Sequence, residues 1–150
     1  MSEVRFHHCE RRRVDQALPD LVARLYAEGR RVVVRAPSAE MVQALNDRLW
    51  TWDEASFLPH GAAGDGDPAT QPVFLTDTLG NPNAATVLVL LAGAETSPGD
   101  DAFDTAIRLF DGRDEEALGE ARRAWKRLRD AGLSPSYWRE GEDGGWDKAR

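Results

Sequence analysis

Three short, largely apolar runs constrain this chain more than any other feature of its sequence. They are RVVVRA (31–36), QPVFLT (71–76) and TVLVLLA (86–92). Runs of this length, bounded by glycine, proline and other turn residues, are typical of strands that are covered on both faces. Strands of that kind belong to a parallel sheet with helices above and below it. The sequence therefore predicts a buried sheet with these three strands in its interior.

Segments with helical spacing of apolar residues alternate with these runs. Three helices are predicted, over residues 14–28, from Ser38 to near Trp50, and from Asp114 to Ala131. Pro19 offers an alternative starting point for the first of them. The third begins with acidic residues and ends with cationic ones before Gly132, which matches the helix dipole at both ends.

The remaining segments are predicted as short strands, a hairpin and loops. VRFHHC (4–9) alternates like a strand with one covered face, TAIRLF (105–110) fits a strand or a short helix with strand favoured, and residues 136–150 form a hairpin or tail across GEDGG. GAAGDGDPAT (61–70) predicts a mobile loop without any regular element, and SPGDD (97–101) predicts another loop.

The order of these elements indicates the fold class. A chain of 150 residues, 41% of them apolar, is the size of one domain with one core. Strands that alternate with helices predict a mostly parallel sheet with helices on both faces. We therefore expect a single three-layer α/β domain of Rossmann-like type over residues 1–150.

Charge and cysteine content limit the kinds of partner and the cellular location that we expect for this chain. The formal net charge of −7 disfavours broad affinity for nucleic acid, so contact with it is expected to be indirect. Cys9 is the single cysteine, and the N-terminal residues contain no apolar run that resembles a secretion signal. The expected location is the cytoplasm, without contact with a membrane.

Known catalytic and cofactor motifs are missing from the sequence. No glycine-rich loop with a lysine follows a strand, as a phosphate-binding loop requires. His7 and Cys9 share a strand face, but no second pair completes a metal site. His60 with Asp53 or Glu54 could form an acid–base pair, but no motif that carries a nucleophile accompanies them. We therefore predict no enzymatic activity, no metal and no cofactor. The alternative that stays open is a small nucleotide- or phosphate-binding α/β enzyme.

An aromatic stretch after the second helix is the first candidate binding surface. LWTWDEASFLPHG (49–61) crowds tryptophan, phenylalanine, leucine and proline together without a helical or strand period. One interpretation is a loop that folds back so that Trp50 and Phe57 fill the core. The favoured interpretation is an exposed patch for another protein, because tryptophan, phenylalanine and proline together are typical of interface hot spots.

A basic face on the third helix is the second candidate. In EARRAWKRLR (120–129), Arg122, Lys126 and Arg129 have the spacing i, i+4 and i+7. Trp125 lies where this face meets the apolar stripe, so it is suited to line an apolar pocket rimmed by cations. Such a pocket fits an acidic peptide that ends in an apolar residue. The alternatives are an ordinary solvated face and a module that binds single-stranded DNA directly.

Taken together, these motifs resemble a known family. LW at 49–50, SFLPHG at 56–61, QPV at 71–73 and TVLVLLA, followed by ARRAWKRLRDAG, YW at 137–138 and GW at 145–146, are similar in order and spacing to the chi subunit of bacterial DNA polymerase III holoenzyme. The resemblance covers most of the chain.

The resemblance implies a non-catalytic α/β accessory subunit of the clamp loader with two partners. One is the psi subunit, and the other is the acidic C-terminal tail of single-stranded DNA-binding protein, which ends in Pro-Phe. The psi-facing residues are then Trp50, Phe57, Leu58, Pro59 and His60, a patch at which a helicase is a further candidate partner. The tail-binding residues are then Arg122, Trp125, Lys126, Arg129 and Tyr137.

Overall fold

A computed structural model describes residues 3–51, 59–62, 64–142 and 145–149 of the chain. Within these ranges, the strands are β1 (Glu3–Cys9), β2 (Val32–Arg35), β3 (His60–Ala62), β4 (Val73–Thr76), β5 (Val87–Leu91), β6 (Thr105–Asp111), β7 (Ser136–Glu140) and β8 (Trp146–Ala149). The α-helices are α1 (Val14–Ala27), α2 (Ala39–Thr51) and α3 (Glu115–Asp130). In the described part of the chain, no helix combines the length and the apolar composition needed to cross a membrane.

The strands form one sheet in the order β3-β4-β2-β5-β6-β1-β7-β8. All neighbouring pairs are parallel except β7 and β8, which form the antiparallel hairpin predicted across GEDGG. The prediction of a mostly parallel α/β sheet is confirmed. TAIRLF is a strand, β6, and it lies between β5 and β1.

Helices cover both faces of the sheet, which confirms the three-layer architecture. The β2 run RVVVRA contributes apolar side chains to both faces. Val32 and Val34 join a core cluster with α1 and α2, whereas Val33 points to the opposite face. On that opposite face, α3 packs over Phe6 and Phe110. Alternate side chains of a strand point to opposite faces, so a strand covered on both sides needs apolar residues at every position.

The prediction of a segment without regular elements at residues 61–70 is wrong at both ends. The edge strand β3 includes Gly61 and Ala62, and a short 3-10 helix spans Pro68–Thr70. Strand β3 is held by its parallel pairing with β4, a long-range contact that a local sequence pattern does not encode. The 3-10 helix begins where the Asp67 carboxylate accepts the backbone N–H of Ala69.

Two smaller predictions also need correction. Helix α1 does not start afresh at Pro19, because it is continuous from Val14 to Ala27 with Pro19 buried inside it. The segment SPGDD is not an irregular loop, because a second short 3-10 helix spans Pro98–Ala102. In that helix Asp100 points inward, and its carboxylate accepts the backbone N–H of Ser97.

A buried ion pair fixes this second 3-10 helix to the end of β2. Arg35 is completely buried, and its Nη1 atom lies 2.9 Å from Oδ2 and 3.0 Å from Oδ1 of Asp100. The same nitrogen donates to the carbonyl oxygen of Glu95 at 3.0 Å. The two charges therefore compensate each other inside the protein, where neither would be stable alone.

A buried carboxylate at the end of β7 holds the loop between β1 and α1. Glu140 Oε1 accepts the backbone N–H groups of Glu10, Arg11 and Arg12 at 2.8, 3.0 and 3.2 Å. Its other oxygen accepts Nε of Arg12 at 2.9 Å. Consecutive N–H groups that converge in this way form an anion site, and here a side chain of the protein itself fills it.

Candidate functional site

A groove of about 390 Å³ lies between α3 and the strands beneath it. Its floor comes from the neighbouring strands β6, β1 and β7, and its outer wall comes from the side of α3. The lining residues are Phe6, His8, Phe110, Leu118, Ala121, Arg122, Trp125 and Tyr137. Three of the five residues predicted for tail binding, Arg122, Trp125 and Tyr137, therefore meet in one cavity.

Small residues on the buried side of α3 explain how the groove forms. Ala117, Ala121 and Ala124 face the sheet and pack against Phe6 and Phe110, which allows the helix to lie close to the strands. The larger side chains of α3 are placed toward the flank of the helix. One open side is left between that flank and the strands, and it forms the groove.

The groove has aromatic walls. The Trp125 ring is only partly buried, and it contacts Phe6 edge to face with 5.2 Å between ring centroids and 72° between planes. Phe110 and His8 also line the groove, and their rings stack with 5.1 Å between centroids. Walls of this kind remove a ligand's apolar side chain from water without requiring a particular hydrogen bond.

The cationic rim is available to a ligand. Arg122, Lys126 and Arg129 are exposed, and no ion pair or side-chain hydrogen bond joins any of the three to another residue in the described ranges. Arg139, by contrast, is engaged in a two-pronged pair with Glu10. Lys126 and Arg129 do not line the cavity itself, but they extend its positive charge along the same helix.

His8 and Tyr137 form a polar pair inside the groove. The Nδ1 atom of His8 is hydrogen-bonded to the Tyr137 hydroxyl, and Glu10 lies 3.8 Å from the same nitrogen. Burial is the main cause that lowers the pKa of His8, and it outweighs the opposing effect of Glu10. Burial, followed by the charge of Glu10, raises the pKa of Tyr137. Both shifts favour the neutral forms of the two side chains.

Three groove residues, Phe6, His8 and Phe110, are not among the site residues predicted from the sequence. The alternation in VRFHHC places Phe6 and His8 on one strand face, which was a usable signal. The alternation alone does not show that this face lies under α3 and beside Tyr137, because that position depends on the strand order β6-β1-β7.

Most of the chain is similar in sequence to one protein family. The family model described as DNA polymerase III chi subunit, HolC, matches residues 1–136. The chain belongs to the DNA polymerase III chi subunit family. The family is one of DNA replication, and the match includes both the groove residues of α3 and the aromatic stretch after α2.

Named relatives of this chi-family protein come from several bacteria. A protein named probable DNA polymerase III subunit chi, from Rickettsia prowazekii (strain Madrid E), is 33% identical over 92 residues, which cover 61% of this chain and 56% of the relative. The DNA polymerase III subunit chi of Haemophilus influenzae is 25% identical over 116 residues, or 77% of this chain and 80% of the relative. That of Escherichia coli (strain K12) is 30% identical over 60 residues, which cover 40% of this chain and 41% of the relative. The matched part thus spans little more than half of the Rickettsia protein.

The second predicted surface of this chi-family protein is described in part. Trp50, at the end of α2, is 57% exposed, and its ring lies 4.4 Å from that of His60 between centroids. His60 is only 4% exposed, whereas Pro59 is partly buried. Phe57 and Leu58 lie outside the described residues. Trp50 therefore does not fill the core, and His60 packs beside it as an underlying residue.

The strand residues His7 and Cys9 are both buried on the face opposite the groove. The His7 ring lies against Trp138 and Trp146, with centroid distances of 5.5 and 4.6 Å. Burial lowers the pKa of His7 to about 3 and raises the pKa of Cys9 to about 12. Among the residues that the structure describes, no group of three or more His, Cys, Asp or Glu side chains converges on a point where a metal ion could bind.

Proposed function

We propose that this chi-family protein is a non-catalytic adaptor in DNA replication. Its groove beside α3 binds the acidic C-terminal tail of single-stranded DNA-binding protein. Its patch around Trp50 binds the psi subunit, through which it is attached to the clamp loader. One observation carries the proposal: an aromatic groove meets Arg122, an arginine without an ion-pair partner among the described residues.

The groove matches the chemistry of a peptide end that combines an apolar ring with a carboxylate. A terminal phenylalanine ring can leave water between Trp125 and the strand aromatics, which contributes about 2 kcal/mol. The terminal carboxylate can accept hydrogen bonds from the Arg122 guanidinium, and acidic residues upstream can lie along Lys126 and Arg129. Exposed ion pairs contribute less than about 1 kcal/mol each. Binding should therefore be micromolar, and it should tighten on DNA coated with many tails.

We expect Arg122→Ala to weaken binding of a peptide ending in Asp-Ile-Pro-Phe by about tenfold or more, since a hydrogen bond to a charged group contributes about 1.5–3 kcal/mol. Isothermal titration calorimetry at low and high salt measures the effect. The wild-type affinity should fall with salt, because the rim charges are exposed.

The matched control for this experiment is Arg123→Ala. Arg123 is also exposed on α3, but it is about 100° further round the helix and is not among the groove residues. The Arg123→Ala variant should retain wild-type affinity within about twofold, because the Arg123 side chain makes no direct charge-assisted hydrogen bond to the peptide. Equal losses in the two variants would assign binding to the net charge of α3, and the groove would lose its role.

The patch around Trp50 is expected to bind psi through apolar burial. Exposed tryptophans that become buried in an interface are frequent hot spots, so Trp50→Ser should weaken psi binding by about 30-fold or more. Co-elution of the purified proteins on size-exclusion chromatography measures this. Tyr26→Ser, which removes another exposed aromatic ring (39%) on α1, is the control.

The same variant separates the two proposed surfaces from each other. Trp50→Ser should leave binding of the acidic peptide unchanged, because Trp50 is not part of the groove. A helicase that uses the patch around Trp50 should compete with psi for the wild-type protein. If Trp50→Ser retains psi while Tyr26→Ser loses it, the proposed psi surface is wrong.

A further inference from the structure

The hydrogen bond between His8 and Tyr137 links two residues that are far apart in the chain. His8 lies near the end of β1, and Tyr137 lies on the neighbouring strand β7. Their side chains point to the face under α3, where both line the groove. The Tyr137 ring is therefore held at its outer end by a partner on the adjacent strand.

His8 is itself held in place from two other sides. Its ring stacks on Phe110 with 28° between planes. Behind it lies Gly112, where a Cβ atom would be 1.5 Å from His8 Nε2. No side chain larger than hydrogen fits at position 112 while the imidazole occupies its place. The glycine and the histidine therefore depend on each other.

We propose that His8 is a positioning residue for the peptide groove: Gly112 and Phe110 hold its ring, and its Nδ1 accepts the Tyr137 hydroxyl and so fixes the Tyr137 ring as a groove wall. The proposal rests on the proposed peptide-binding function and adds a residue to it. Glu10, Arg139, Asp111 and Glu140 are the charged groups around His8. Its neutral form with hydrogen on Nε2 is the one that accepts the phenol proton.

The variants that test this proposal remove one partner at a time. Tyr137→Phe keeps the ring and removes the hydroxyl, whereas His8→Leu keeps apolar volume and removes the acceptor. Each should weaken binding of the peptide ending in Asp-Ile-Pro-Phe by about fivefold, the effect expected for one hydrogen bond. The double variant should lose no more than either single variant, because both remove the same interaction. His8→Asn, which offers an amide oxygen near Nδ1, should recover most of the affinity.

Gly112→Ala gives an independent test through the space behind His8. It should weaken peptide binding about as much as His8→Leu, and it should have no further effect in the His8→Ala background, where the ring is absent. Gly119→Ala is the control, because its Cβ would meet only the end of the flexible Arg123 side chain, at 3.3 Å. It should bind like wild type.

Nuclear magnetic resonance of the full chain reports the pairing without a peptide. The ring ¹⁵N shifts of His8 should show the neutral form with hydrogen on Nε2, and Tyr137→Phe should change the Nδ1 shift. Unchanged shifts, or peptide binding that is normal in Tyr137→Phe and His8→Leu, would overturn the positioning role. A wild-type protein that does not bind the peptide would overturn the proposed function instead, and the shifts would still decide the pairing.

Discussion

Alanine in place of Asp100 should lower the free energy of unfolding by about 3–5 kcal/mol, because it leaves the completely buried Arg35 guanidinium without its counter-charge. Folded domains are stable by only about 5–15 kcal/mol, so this single change should remove a large part of the total. Urea denaturation followed by circular dichroism measures the effect. The second 3-10 helix, Pro98–Ala102, should also lose its fixed position.

Two further variants show whether charge compensation is the cause. In the double variant Arg35→Met with Asp100→Ala, neither charge is buried, so the protein should be more stable than Asp100→Ala alone. Asp77→Ala removes an exposed carboxylate that makes no hydrogen bond or ion pair within the described residues, and it should change stability little. A double variant that is less stable than Asp100→Ala would contradict this explanation.

Glutamine in place of Glu140 should destabilise the protein by about 2–3 kcal/mol, because the amide cannot satisfy the converging N–H groups of residues 10–12 and Arg12 as a carboxylate does. The variant should also change the response to acid. Burial alone would raise the pKa of Glu140, but the hydrogen bonds from Arg11, Arg12 and Glu10 together lower it below the ordinary value of 4.5.

The sign of the acid effect follows from that lowered pKa. A carboxyl group whose pKa is lower in the folded state adds stability above its unfolded pKa, near 4.5. This stability is lost as the pH falls from there through the folded pKa. Urea denaturation across this range should therefore show a steeper decline for wild type than for Glu140→Gln. Glu142→Gln, an exposed neighbour, should behave like wild type, and parallel curves for all three proteins would contradict the role of Glu140.

The sequence predicts the interior strands and the helices well because their information is local. Every residue of the β2 run from Val32 to Val34 is apolar, and such a run cannot face water on either side. Strand β3 has only three residues, and its pairing with β4 determines it, so no local period exists to detect. Buried acids such as Asp100 have the same local appearance as loop acids.

Only the residues that α3 contributes to the candidate site were predictable from the sequence. The α3 residues Arg122 and Trp125 follow from helical spacing, which a sequence displays directly. The floor of the groove depends on three strands that are adjacent in space but far apart in the chain, as His8 and Tyr137 show with a separation of 129 positions. Which parallel strands become neighbours is decided by the crossover connections, and the apolar pattern of each strand is the same in many orders.

The position of β3 and β1 in the sheet has a mechanical consequence. Five strand spacings separate them, which corresponds to about 24 Å across a hydrogen-bonded sheet. The twist accumulated over those spacings turns one end relative to the other by roughly 100°. Trp50, beside β3, and the groove, above β1, therefore lie at two places on the sheet that are separated across it and rotated relative to each other by its twist. Proteins bound at these two places would be held apart by the width of the strands between them.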